Sequence, residues 1–483
     1  MEQNDRPVIV VKYGGSSLAK PENFHEVAEH QLKLYNKGLM PVYVNSARKG
    51  VTDRLLGVWK GEKTVGNYLK EEMVFYENVF RRCDKRDEAL KRLKNSIKTL
   101  ENVVPRPNNK THERNRSHRE SYAIAHGEKE AGLALSYLTS GMIGDMETFF
   151  SDGFEAGVVA LHMRGPVDVE RSVTAVKRKA AENPGKHLGF GGFVGRHNKD
   201  CNRYCLLDRN STDVTAALVA AALGAKEYWN IKDVAGVYAF DPVFLEKNEQ
   251  PVVIEKLSYD EAANITRSGA AVIHPMGIKV SKKYKIPIRV TSMVNGEGTV
   301  ISEESDTTAE RPYAAMSLSI QACITVADEA MDVPGIGRGY LHQAAGSISD
   351  GGFDILHVAD SGNEMSFTVA DGSGIKKDRR AGIDCAKSAL VTGLRKYGRH
   401  DVEVSGREIG MIMITGRGMK ARKGTLHELT GALLRSGISI AMISQSDENS
   451  KGDPAITIGV ARRDYEGAVR ALKNHCFSNL QPH

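Results

Sequence analysis

The sequence predicts an α/β fold: an open, mainly parallel sheet flanked by helices, followed by two smaller α+β modules. Three observations predict it. A β-branched run at 8–11 leads into a glycine turn, an amphipathic stretch and a second strand. The same alternation resumes from Leu206 to about Ser302. The last third of the chain then runs through one pattern twice, at Ser317–Val369 and Glu408–Val460.

Val8-Ile-Val-Val11 reads as a buried strand. A Gly-Gly-Ser-Ser turn follows, and Pro21 opens a helix. Phe24, Val27, Ala28, Leu32 and Tyr35 keep one helical face apolar, and Gly38 ends it. Pro41–Asn45 returns as a strand, and the short links imply parallel pairing. Residues 61–102 are charged with helical periodicity and predict an exposed helical hairpin. Residues 103–120 are basic and Pro/Asn-rich, a solvated loop in the ordinary reading and an anion-binding arm in the alternative. Ala216–Ala225 is a small-residue helix, and Gly236-Val-Tyr238 and Ile286–Val290 read as further strands.

Residues 303–312 are polar and aperiodic and serve as a linker. Each repeat beyond them has a strand, a glycine turn (Pro334–Gly337; Gly416–Gly418), an amphipathic helix and two further strands. That is the first half of a ferredoxin-like βαββαβ module. The expected domains are 1–302, 313–400 and 401–483.

Forty-one per cent hydrophobic and 26% charged residues in 483 exclude a disordered chain, a collagen, a coiled-coil rod and a disulfide scaffold. The net charge of +6 is small for a chain this long and far from a nucleic-acid signature, which needs clustered charge, so no nucleic-acid partner is expected. Without an apolar run of about 20 residues or a charged leader, the expectation is a soluble cytoplasmic chain with no membrane partner. Of six cysteines only Cys201 and Cys205 are close, and no second pair matches them. Reduced thiols and no protein-built metal site are therefore expected.

Lys12-Tyr-Gly-Gly-Ser-Ser17 follows the first strand directly. Two glycines let the backbone approach an anion, the next helix points its amides at it, and Lys12 can neutralise a phosphoryl group. Ser46-Ala-Arg-Lys-Gly-Val-Thr52 offers amides and hydroxyls after the second strand, at the edge where open α/β sheets bind ligands. His126-Gly-Glu128 lies in a helical stretch, where Glu128 taken alone reads as a surface residue. Gly192-Phe-Val-Gly195 is another tight strand exit. Arg209-Asn-Ser-Thr-Asp213 opens the small-residue helix, where an Asp is an N-cap or a catalytic group.

These pieces, in order with Lys232-Asp-Val-Ala-Gly-Val-Tyr238, Asp241-Pro242, Leu257–Ala262 and His274-Pro275, resemble the aspartate kinase family over about residues 8–476. That family joins an amino-acid-kinase domain to two ACT domains, in agreement with the doubled C-terminal pattern. The resemblance implies ATP-dependent phosphorylation of the L-aspartate β-carboxylate, the first step towards lysine, threonine and methionine. It implies Lys12 and Asp213 as catalytic residues. Ser46, Thr52, Glu128, Arg209 and Thr212 would hold aspartate, with Arg209 on the α-carboxylate. Lys12, Gly14, Gly15, Ser16, Lys232, Asp233 and Tyr238 would contact ATP, with Mg²⁺ as cofactor. It further implies an amino-acid effector, lysine or threonine, met by Asp354, Ser444 and Gln445, and a homodimer or higher oligomer joined through the ACT modules.

The chain departs from the family at Asn210 and Ser211, where two glycines are usual, and at Asp208, Val243 and Ala271. Asn210 and Ser211 narrow the space beside the substrate, although Asn tolerates positive φ better than most residues. Three readings stand: an aspartate kinase, an amino-acid kinase for a related acidic substrate, and a catalytically impaired ACT sensor.

Overall fold

The computed structural model describes residues 6–105, 115–208, 210–267, 272–294, 296–329, 331, 339–371, 379–446 and 452–478. The chain divides into two compact units, the first comprising Met1–Val237, Val253–Thr266 and Ala271–Asp306. It opens with β1 (Val8–Tyr13), α1 (Pro21–Asn36) and β2 (Met40–Asn45), and β1 and β2 pair in parallel from Val8–Met40 to Tyr13–Asn45. Successive side chains of a strand face opposite sides. Ile9, Val11 and Tyr13 join Phe24, Val27 and Leu34 of α1 in one core, and Val10 and Lys12 therefore turn to the other face.

Next come α2 (Val51–Lys60), α3 (Val65–Val79), α4 (Arg86–Lys98), α5 (Leu100–Val103), α6 (Arg116–Ile124) and α7 (His126–Thr139). The helical hairpin expected at 61–102 is present as α3 and α4, but it is not simply exposed. Tyr68, Glu72, Tyr76 and Val79 of α3 are buried, because the i, i+4, i+8 stripe meets the core beside α1 and α7. Part of the basic stretch, 106–114, lies outside the described residues, and its end forms α6.

The unit continues with β3 (Thr148–Asp152), α8 (Gly153–Ala156), β4 (Val159–Ala160), α9 (Val169–Ala181), β5 (His187–Gly191), β6 (Val194–His197) and β7 (Asp200–Leu206). Then follow α10 (Thr212–Leu223), β8 (Glu227–Ile231), β9 (Lys256–Ser258), α11 (Tyr259–Arg267), α12 (Pro275–Tyr284), β10 (Ile288–Thr291) and β11 (Thr299–Ser302). The main sheet runs β3-β5-β2-β1-β8-β10-β11-β9, parallel throughout except for the β10–β11 pair. A small sheet, β4-β6-β7, stands apart from it. Helix α10 packs on β1 and β8 between α9 and α12, and its ten buried residues are mostly Ala and Val. Gly236-Val-Tyr238 is not the strand expected. The backbone there is held by the Thr299 hydroxyl, which accepts the Val237 amide at 2.8 Å, and a Cβ at Gly236 would meet the Thr299 Oγ1 at 2.8 Å.

The second unit comprises Tyr238–Val252, Arg267–Ala270 and Thr307–His483. Its elements are β12 (Ala315–Ala327), α13 (Tyr340–Asp350), β13 (Phe353–Asp360), β14 (Glu364–Asp371), α14 (Arg379–Lys396), β15 (Glu403–Thr415), α15 (Thr425–Arg435), β16 (Ile440–Gln445), β17 (Ala455–Ala461) and α16 (Tyr465–Phe477). The order β-α-β-β-α occurs twice, and the long strands β12 and β15 pair antiparallel to fuse the halves into one sheet, β13-β14-β12-β15-β17-β16. The glycine turn expected at Pro334–Gly337 lies outside the described residues. Residues 238–252 pack in this unit: Lys473 of α16, 4% exposed, pairs with Glu249 at 2.5 Å, and Phe240 lies against Phe477. Among the described residues no helix is long and apolar enough to cross a membrane.

Candidate active site

The carboxyl ends of β1, β2 and β8 meet at one edge of the main sheet, where open α/β sheets present ligand sites. Lys12 is the penultimate residue of β1 and faces α10. Its Nζ lies 2.9 Å from Asp213 Oδ1 and 3.5 Å from Asn230 Oδ1 near the end of β8. Asp213 sits in the first turn of α10, where the helix dipole favours an anion. Its Oδ2 accepts the His274 amide at 3.0 Å. Burial opposes ionisation of Asp213, but Lys12, Lys232 and these hydrogen bonds outweigh it and hold the carboxyl below its ordinary value. Lys232, half-buried just beyond β8, is pushed down by burial and by Lys12, against the pull of Asp213 and Asp233.

Glycine is required at position 15. A Cβ there would meet the Ala47 carbonyl at 2.9 Å, because the β1 turn and the β2 turn touch; the Lys49 amide donates to the Gly15 carbonyl at 3.0 Å. At Gly14 a Cβ would meet only the Lys12 ammonium, at 3.5 Å. Ser16 begins the short turn that leads to α1 and is exposed.

Beside this turn lies a cleft of about 260 Å³, lined by Gly15, Ser46, Thr52, Glu128, Asn210 and Thr212 together with Arg48, Lys49 and Phe193. The Ser46 hydroxyl donates to Thr212 Oγ1 at 3.0 Å, and Asn45 donates from β2 to the Glu128 carbonyl at 2.8 Å. The structure thus brings together Ser46, Thr52, Glu128 and Thr212 from three separate segments, the turn after β2 and the first turns of α7 and α10. Glu128 is buried and its Oε2 has no hydrogen-bond partner among the described residues. Burial pushes its carboxyl up to about 8, partly offset by backbone hydrogen bonds from Ala47 and its own amide. A buried unpartnered oxygen on a residue that lines a cleft suits a cationic ligand group.

Arg209 lies outside the described residues. Its neighbour Asn210 has φ 65°, so the left-handed conformation that glycine would adopt is retained by Asn. Phe193, at φ 66°, turns the chain between β5 and β6. Asp233 is exposed after β8, and Tyr238 belongs to the second unit. In that unit Asp354 lies on β13 and Ser444 and Gln445 on β16, the two outermost strands, with all three exposed. One chain does not bring them together.

The motif reading missed a buried polar cluster under the cleft. Arg48 pairs with Glu72 at 2.6 Å and lies 3.7 Å over the Phe75 ring, and Arg54 pairs with the other oxygen of Glu72 at 2.7 Å. The Tyr68 hydroxyl donates to Glu130 at 2.9 Å. The signal was a glutamate between Tyr68 and Tyr76 at helical spacing, a charge on an apolar stripe.

Comparison with known proteins identifies the family and the fold. The amino acid kinase family model matches residues 7–292, and an ACT domain model matches 412–476. An aspartate kinase from Pseudomonas fluorescens is 26% identical over 469 residues, 96% of each chain. An aspartokinase from Corynebacterium glutamicum is 24% identical over 472 residues, 96% of this chain and 95% of that one. Among solved structures, aspartokinase III of E. coli in complex with aspartate and ADP superposes with a TM-score of 0.73 at 21% identity, covering 97% of this chain and 100% of the other. The Clostridium acetobutylicum aspartate kinase gives 0.72 at 20%, covering 98% and 100%. These structures share the fold. With the family match spanning more than half the chain and the lysine, the glycine turn and the helix-borne aspartate assembled at one sheet edge, this chain belongs to the amino acid kinase family and carries an ACT domain behind its kinase fold.

Proposed function

We propose that the chain is an aspartate kinase, transferring the γ-phosphoryl group of ATP to the β-carboxylate of L-aspartate to give 4-phospho-L-aspartate. The observation that carries the reading is the cleft itself: an unpartnered buried carboxylate oxygen, on Glu128, opposite a phosphate turn backed by Lys12. Glu128 would take the substrate ammonium, and the hydroxyls of Ser46, Thr52 and Thr212 would take its carboxylates. Arg209 keeps the role its resemblance implies, on the α-carboxylate.

Transfer to a carboxylate needs no general base, because the nucleophile is ionised near neutral pH. Two anions must be held together against repulsion, so catalysis is positioning and charge stabilisation. Lys12 supplies the positive charge at the transferred group, and Asp213 and Asn230 hold its ammonium in place. The amides after Gly14, Gly15 and Ser16 would cradle the phosphate, and Lys232, Asp233 and Tyr238 are assigned to the nucleotide by resemblance. Mg²⁺ takes most of its ligands from phosphate and water and needs one or two carboxylates. The ionised Asp213 fits that demand, and the ion would neutralise phosphate charge. No cluster of three His, Cys, Asp or Glu exists among the described residues to hold a metal without substrate.

Regulation is proposed to run through the doubled module, with lysine or threonine as effector. Asp354 and Ser444 with Gln445 lie on opposite sheet edges, and both edges expose apolar residues, Val358 at 44% and Ile443 at 42%. Both facts suit a homodimer in which the β13 edge of one chain meets the β16 edge of another.

The test is ATP-dependent acyl-phosphate formation, trapped with hydroxylamine, with aspartate, glutamate and N-acetylglutamate in parallel. Activity on aspartate is expected. Activity on another acid alone would assign the related-substrate reading, and activity on none, with folding and amino-acid binding intact, would assign the sensor.

A further inference from the structure

A second, strongly cationic cavity lies in the first unit, away from the cleft. Helix α9 places Arg171, Thr174, Ala175 and Arg178 on one face, at i, i+3, i+4 and i+7, while Ser172 and Val176 are buried on the other. Across a cavity of about 450 Å³ stand Arg196 and His197, at the end of β6. None of the residues lining it lines the substrate cleft.

Three arginines border one cavity, and the carboxylates beside them offset only part of that charge, because the two α9 pairs are long and their arginines are 60% and 75% exposed. Asp168 is 4.0 Å from Arg171, and one of its oxygens already caps α9 by accepting the Arg171 amide at 3.1 Å. Glu182 is 3.9 Å from Arg178. Glu170, the acidic residue in the lining, is taken by Lys283 at 2.7 Å. Arg196 has no ion pair among the described residues. It is fixed from behind: its Nε donates to the Phe154 carbonyl at 2.6 Å, and its guanidinium lies 5.0 Å from the Phe154 ring centre. That ring is in turn stacked on Tyr204 at 3.8 Å. A guanidinium held through Nε keeps its two terminal nitrogens for a fork-shaped acceptor.

The geometry points to a binding site for a small polyanion, a molecule carrying two or more phosphoryl or carboxylate groups. One anionic group would meet Arg196, whose position is fixed. A second would meet the α9 arginines, which stand roughly 10 Å apart along the helix. A single monovalent ion would satisfy neither the span nor the charge.

The experiment uses the full-length chain in a Lys12→Ala background, which weakens the phosphate turn as a competing site. Thermal unfolding is followed while pyrophosphate or citrate is titrated. A saturable rise in Tm with at least one of them is expected. It should be abolished in the Arg171→Ala/Arg178→Ala double variant. Arg196→Lys, which keeps the charge and loses the fork, should weaken Kd about tenfold by calorimetry. A response to pyrophosphate alone assigns a phosphorylated ligand, and a response to citrate alone a polycarboxylate. No saturable effect from either, or an effect unchanged in the double variant, overturns the proposal. The double variant in the Lys12 form should retain its basal phosphotransferase activity, so failure here is separable from failure of the aspartate kinase reading.

Discussion

Lys12 and Asp213, one near the end of the central strand and the other in the first turn of the small-residue helix, form a buried ion pair of 2.9 Å. The pair works as a support. Asp213 fixes the ammonium and stays ionised in its field, and the lysine can then face a phosphoryl group without searching for a position. Lys12→Ala should lower kcat roughly 100-fold or more, the scale of losing one preorganised charge stabiliser. The aspartate KM should change little, and steady-state kinetics would reject the role if turnover were unchanged.

Glu128 gives a pH dependence with a definite sign. Its carboxyl titrates at about 8 in the folded chain, against 4.5 ordinarily. Between those values the unfolded chain has released a proton that the folded chain keeps, so stability falls as pH rises through that window and levels off above about 8. Only the ionised form pairs with the substrate ammonium, so the aspartate KM should fall as pH rises towards about 8. Glu128→Gln should flatten both profiles. A KM–pH curve with the same slope in the variant would remove Glu128 from the pocket.

Asn210 holds φ 65° where the family more often has glycine. Asn210→Gly should fold as well as the parent. Asn210→Ala should cost about 1 kcal/mol, the penalty of a Cβ in the left-handed region. Denaturant unfolding of the two variants checks this, and equal stabilities would show that the turn relaxes.

Glu72 is buried between Arg48 and Arg54. Glu72→Ala strands the buried Arg48 guanidinium, while Arg54 keeps Glu71 at 3.6 Å, and should destabilise by about 3 kcal/mol. Because Arg48 belongs to the turn that carries Ser46 and Thr52, the aspartate KM should also rise. Glu72→Gln, which keeps hydrogen bonding, should recover most of both, and an unchanged KM in Glu72→Ala would uncouple the cluster from the cleft.

Three histidines make the fold sensitive to acid. Burial lowers His126 and His187 to about 3, and lowers His30 to about 4 with help from Lys33 and Lys37. Each stays neutral when folded and would gain a proton when unfolded. The histidines' contribution to stability is therefore full above the ordinary value of 6.5 and is lost as pH falls below it, by up to about 1.4 kcal/mol per pH unit for each. His187→Gln should make the fall between neutral and acid pH shallower in urea titrations. A slope equal to the parent's would show that His187 is charged in the fold.

What could be read without coordinates was local. The β-branched run, the glycine turn, the proline-opened helix and the doubled β-α-β-β order all express short-range preferences, so β1, α1, β2 and the two ACT-like halves were legible. Glu128 entered the site only through the family resemblance, whereas Lys12, the Ser46–Thr52 turn and the Thr212–Asp213 helix start were legible as a ligand-binding edge because each sits at the end of such an element. The contacts among them were not, since they join segments far apart in the chain. The charged appearance of 61–102 concealed the buried face of α3, because hairpin periodicity is the same whether one side meets water or a core. Gly236–Tyr238 looked like a strand because propensity cannot see that Thr299 already takes the Val237 amide. Packing decided these points: it removes water from Glu72, Glu128 and Asp213, and only then do partner choice and ionisation acquire a cost large enough to select one arrangement.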